Sequence, residues 1–217
     1  MTFPNAAKGV KILYIAELLA LLVSVASLIA PTLSLLYMVF SAQSSNENPF
    51  IEFILIGCVY FVSLATLVHI VFIVMGLNIA AKDDSSFKVA FYAMIFGIII
   101  TIVGGIFSTN EAIKGLTDIL YNITNLITAI YIIQGVVYIS KALGNHRMRV
   151  QGNHIIRIIS LIYVFQIFTS VSMVIFGDIS QSVLSAILTF VVGLLSVIEY
   201  VLFILYLSRT KTMLAEN

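Results

Sequence analysis

The stretch ILYIAELLALLVSVASLIAPTLSLLYMVF, residues 12–40, contains a single charged side chain, Glu17, and follows directly on Lys8 and Lys11. An apolar run of that length is suited to hydrocarbon rather than to the surface of a water-soluble domain. It also extends far beyond the apolar region of a signal peptide, so it reads as a retained helix. Five comparable stretches follow, at residues 50–81, 89–108, 116–140, 155–177 and 183–207. Each is long enough to cross a bilayer as a helix. The fold class is therefore all-α: a polytopic membrane protein with a single transmembrane domain spanning residues 1–217. Short connections predict a compact bundle of six transmembrane helices in three antiparallel hairpins.

Basic residues orient this bundle. Lys8 and Lys11 precede the first stretch, Lys82 and Lys88 lie between the second and third, Lys141, Arg147, Arg149 and Arg157 lie between the fourth and fifth or just inside the fifth, and Arg209 and Lys211 follow the last. Cytoplasmic connections are enriched in Lys and Arg, so these positions and both termini are expected on the cytoplasmic side of a cell membrane. The opposite connections carry Lys114 among Glu47, Glu52, Glu111, Asp118 and Asp178.

Composition narrows the function classes. With 61% hydrophobic and 10% charged residues, little chain remains for an extramembrane domain. The longest polar connection, residues 141–154, is too short to fold as a catalytic or nucleic-acid-binding module. It reads as a basic loop that touches lipid headgroups, with docking of a cytoplasmic protein as the second option. Membrane lipid is thus an expected partner, and nucleic acid is not. Cys58 is the only cysteine, so no disulfide or thiolate metal site forms within one chain. No HExxH pattern or nucleophile–base set is present, and His69 has no His, Asp or Glu three or four residues away. The expectation is a protein that is not an enzyme, with no catalytic residues, resident metal or cofactor.

Local signals refine the helices. Pro31 removes a backbone donor and predicts a kink or an end within the first helix. Small and polar residues at three-and-four spacing mark the protein-facing sides: Glu17, Ala20, Ser24, Ser27, Pro31 and Ser34 in helix one, Ala90, Gly97, Thr101, Gly104 and Ser108 in helix three, and Ser182, Ser185, Thr189, Ser196 and Glu199 in helix six. Gly76 and Gly135 each stand six residues before a lysine at the ends of helices two and four, a weak internal similarity. The sequon at Asn122 falls within a predicted span and reads as chance.

Five polar side chains remain inside the spans. Counted from the nearest basic residue at about 1.5 Å per residue, Glu17 lies about 9 Å inward, Gln134 about 10, Gln166 about 14, Glu199 about 15 and His69 about 20. They come from five helices. Intramembrane ionisable groups point by default to an ion path, a proton relay or a ligand contact. Glu17 and Glu199 meet no Lys or Arg at their depth, so water, His69 or a bound cation must compensate them. The ion- or ligand-binding set is therefore Glu17, His69, Glu199, Gln134 and Gln166, with the two glutamines also suited to interhelical hydrogen bonds. These residues predict a transporter or channel-like protein that binds or moves an ion or small solute through a polar interior, with proton or cation coupling.

A second class is a non-catalytic accessory or substrate-capture subunit with a membrane or cytoplasmic protein partner. In size, helix count and inward termini the chain resembles the substrate-capture subunits of energy-coupling-factor vitamin transporters. Ala16 and Ala20 are similar to the small-residue contact on helix one of that family. The resemblance is architectural and covers the whole chain. The absence of Trp and the scarcity of polar loop residues argue against an outward-facing vitamin pocket.

Overall fold

The computed structural model describes the backbone of residues 2–43, 49–107, 109–175 and 183–216, and the side chains there except those of residues 28–55, 111–112, 173, 183–186 and 189. Six helices account for nearly all of it: α1 (Pro4–Gln43), α2 (Pro49–Ala80), α3 (Ser85–Ile106), α4 (Glu111–Ala142), α5 (His146–Ile175) and α6 (Val183–Ala215). All six are long and apolar enough to cross a membrane.

Helix lengths exceed what a bilayer requires. The 22 residues of α3 span about 33 Å, close to the thickness of a hydrocarbon core, whereas the 40 residues of α1 span about 60 Å. Most of the excess beyond the expected bounds lies at the basic end, where α1 starts at Pro4, α4 runs to Ala142, α5 starts at His146 and α6 runs to Ala215.

The connection expected over residues 141–154 is therefore largely helical. Gly144, at φ 71°, supplies the left-handed residue that ends α4. Asn145 N–H donates to Ser140 O at 2.8 Å and Gly144 N–H to Lys141 O at 3.1 Å, a Schellman closure. Asn145 then caps α5, its Oδ1 accepting from Met148 N–H at 3.1 Å. Polar composition marks where chain leaves lipid, but the stop and start signals at Gly144 and Asn145 are what end the helices.

Pro31 does not terminate α1, which remains helical to Gln43. Proline removes one donor, and the hydrogen-bond ladder on either side can hold the helix together. Several side chains named from the sequence lie outside the described residues: Pro31, Ser34, Glu47, Glu52, Ser108, Glu111, Asp178, Ser182, Ser185 and Thr189.

Each helix packs on its chain neighbours, and α6 packs on α1 to close a ring. The packing is heaviest between α1 and α2 and on either side of α4, and sparse between α5 and α6. Small residues set the close approaches. A Cβ on Gly9 would stand 2.6 Å from Gly76 O, which brings the α1 and α2 backbones together. Along α3, buried Ala90 and Gly97 share a seven-residue spacing with Gly104, and Cβ atoms on the two glycines would meet Thr124 and Thr117 of α4. Thr101 turns outward instead and donates to Gly97 O at 3.0 Å. Gly76 and Gly135 do play the same part, receiving Leu13 of α1 and Phe87 of α3 respectively.

One end of the ring collects the basic residues. Asp83, in the α2–α3 turn, accepts from Asn5 Nδ2 at 2.8 Å and from Ala6 N–H at 2.7 Å, so it holds the start of α1. Ser140 near the end of α4 donates to Met213 Sδ of α6 at 3.6 Å. Lys211 lies 4.7 Å from the centre of the Tyr14 ring, joining α6 to α1.

Candidate functional site

Glu17, His69 and Glu199 meet at one cavity of about 60 Å³ inside the ring. Its wall draws on every helix: Glu17 from α1, His69 from α2, Met94 from α3, Asn125 and Thr128 from α4, Tyr163 from α5, and Glu199 with Tyr200 from α6. At roughly 10–15 Å³ of such space per water, it has room for a few waters. Among the described residues, neither Lys nor Arg lines it.

The acids are buried for different local reasons. Glu17 lies in α1 beside Ala16 and one turn before Ala20, both buried, and is itself 5% exposed. Glu199 is 7% exposed, with Phe203 buried one turn further along α6. Both carboxylates line the same small cavity. Tyr163 of α5 lines the same cavity as Glu199. His69 Nε2 is a buried atom without a hydrogen-bond partner among the described residues, on a side chain that forms part of the same wall.

A second cavity of about 420 Å³ shares His69, Tyr121 and Tyr200 with the first. Its remaining polar wall is made of hydroxyls: Ser24 and Ser27 of α1, Thr66 of α2 and Ser196 of α6. Each lies on its helix farther from the basic end than the acid of that helix, or than His69 in the case of Thr66. The stripe read from helix one is thus divided between two chambers, Glu17 in the inner and Ala20, Ser24 and Ser27 in the outer.

The two glutamines are elsewhere. Gln134 Nε2 donates along its own helix to the Tyr138 hydroxyl at 3.2 Å, in an exposed position. Gln166 Nε2 donates across to Ser196 Oγ at 3.1 Å, tying α5 to α6 at the edge of the outer chamber. Neither side chain reaches the inner cavity wall. Asn122 Nδ2 donates to Ser170 Oγ at 3.2 Å, so the residue that begins the sequon serves the α4–α5 contact.

Sequence reasoning missed Tyr121, Tyr163, Tyr200 and Asn125. Tyr200 was marked only by its adjacency to Glu199. Tyr163 and Tyr121 carry no signal along their own helices, because a tyrosine in an apolar span is equally suited to packing.

Two carboxylates and the tyrosines Tyr121, Tyr163 and Tyr200 give the inner chamber polar groups along its wall. Among the described residues, no group of three or more His, Cys, Asp or Glu side chains is placed to hold a metal ion. No protein-family model, curated protein or solved structure matches the chain.

Proposed function

We propose that this protein is a small transporter or channel-like membrane protein that binds and passes a proton or a monovalent cation through the interior of its helix ring. The observation that supports this reading is the convergence of Glu17, His69 and Glu199, from three helices, on one cavity lined by all six. Buried carboxylates without Lys or Arg partners are costly in a bilayer and must be compensated by water, a proton or a cation. The absence of a three-ligand group among the described residues favours a proton or monovalent cation over a coordinated metal. The adjoining hydroxyl-lined chamber supplies an approach, with His69, Tyr121 and Tyr200 between the two spaces.

The remaining parts of the proposal follow from charge. The basic end faces the cytoplasm, both termini are cytoplasmic, and the membrane is the cell membrane. The protein acts without catalysis.

Proteoliposome flux tests the reading, with a pH-sensitive dye reporting protons and Na⁺ or K⁺ gradients supplying the cation arms. The wild-type chain should conduct in at least one arm. Glu199→Gln keeps the shape but removes the titratable group, so it should change the pH or cation dependence of that flux. Unchanged flux in the variant removes Glu199 from the mechanism. A wild-type chain silent in every arm rejects the proposal and leaves the accessory-subunit class.

A further inference from the structure

We propose a second site on this protein, a groove between α5 and α6 at the basic end that holds the phosphate of an anionic phospholipid. Its volume is about 760 Å³, and its wall contains His146, Arg147 and His154 of α5 and Arg209 of α6 beside Val150 and Ile155. It shares no lining residue with either interior chamber, and it stands independently of the transport reading.

The groove exists because of two features of the fold. α5 begins at His146, so residues expected in a loop are held on a helix, where 147, 150 or 151, and 154 share a face at three-and-four spacing. α5 and α6 pack sparsely, which leaves space between them, and Arg209 reaches this space from the second helix.

The charge in the groove is uncompensated. Among the described residues, its wall has no Asp or Glu. Among the described residues, none of the four basic or imidazole side chains has an ion pair or a side-chain hydrogen bond. Two guanidinium forks on separate helices suit phosphate oxygens, which they can hold in bidentate fashion.

A lipid is the occupant because the basic face continues into exposed apolar surface. Ile158 and Leu161 follow His154 along α5, at 42% and 71% exposure, and Leu205 precedes Arg209 by one turn on α6, at 51%. A headgroup among the arginines would leave its acyl chain on those three residues, within segments apolar enough to lie in the membrane. A soluble phosphate would use the guanidinium groups and gain nothing from the apolar stripe. An anionic headgroup is favoured over a zwitterionic one because the site has no carboxylate to face a choline or ethanolamine cation.

The test uses the purified full chain in neutral detergent, with lipid binding read by native mass spectrometry. Probes are phosphatidylglycerol, phosphatidylcholine of the same acyl length, and glycerol phosphate. The wild type should bind phosphatidylglycerol most tightly. Arg147→Gln with Arg209→Gln should weaken that binding about tenfold or more, and Arg209→Gln alone by a smaller factor. Arg149→Gln with Arg157→Gln removes equal charge from the same end outside the groove, and should leave binding within about twofold of wild type. Equal losses in the two double variants would show general surface attraction and overturn the site. So would undiminished binding in the groove variant, or glycerol phosphate binding as tightly as the lipid.

Discussion

Tyr163 on α5 and Glu199 on α6 share the wall of the inner chamber, across a helix pair that packs sparsely. The pairing sets a phenol beside a buried acid in a wall where, among the described residues, neither Lys nor Arg stands.

Tyr163→Phe keeps the ring and removes the hydroxyl from the cavity wall beside the buried acid. The expected loss is about 1–2 kcal/mol of stability, read as a lower unfolding midpoint in mixed micelles. Combined with Glu199→Gln in a double-mutant cycle, the pair should show a coupling of at least about 0.5 kcal/mol. Strict additivity would mean that the two side chains are not coupled.

The α1–α2 contact is set by backbone approach. Gly9→Ala places a methyl 2.6 Å from Gly76 O and 2.7 Å from Ala80 Cβ, so the helices must separate, at a cost of about 1–3 kcal/mol. Gly57→Ala and Gly105→Ala meet nothing within 4 Å, and should be neutral or stabilising by up to about 1 kcal/mol through helix propensity. Thermal unfolding of the three variants decides this. An equally tolerated Gly9→Ala would show that the two helices do not depend on this close approach.

Gln134 and Gln166 should behave differently despite similar predicted depths. Gln134→Leu gives up an exposed bond within one helix, and should alter stability by no more than about 0.5 kcal/mol and leave any cation flux unchanged. Gln166→Leu breaks the link to Ser196, and should cost about 0.6 kcal/mol, the average for interhelical hydrogen bonds in membranes, and no more than about 1.7. If Gln134→Leu abolished flux while the fold persisted, the location of the path inside the ring would be wrong.

Asp83 joins the α2–α3 turn to the first turn of α1 through two hydrogen bonds, one of them to Ala6 N–H. Asp83→Ala should destabilise the chain by about 1 kcal/mol and increase proteolysis or amide exchange at the start of α1. Unchanged protection of residues 4–8 would show that other contacts hold that end.

The polar stripe of helix one illustrates how far reading along the chain can reach. Glu17, Ala20, Ser24 and Ser27 recur at helical spacing, and the structure sets all four against interior space. Gln134 shows where such reading stops. It is as polar as Gln166 and similarly deep, but the rotation of α4 within the ring turns it toward the outer surface, where Tyr138 on the next turn satisfies it. The rotation of α4 depends on how Phe87 seats against Gly135 and how α5 lies on the other side, and neither contact is written into the neighbourhood of residue 134.

The number of helices and their membrane-spanning character came from residue order alone, because hydrocarbon demands long apolar runs and a backbone that satisfies its own hydrogen bonds. The collection of basic residues at one end followed from the same runs, since each crossing reverses the chain. Tertiary structure decided which polar groups share a cavity, that the basic segment after Gly144 is helical, and that Tyr121, Tyr163 and Tyr200 help to wall the chambers. Those outcomes depend on how each helix is rotated and how closely it meets its neighbours. The contacts that set rotation and distance join residues far apart in the chain.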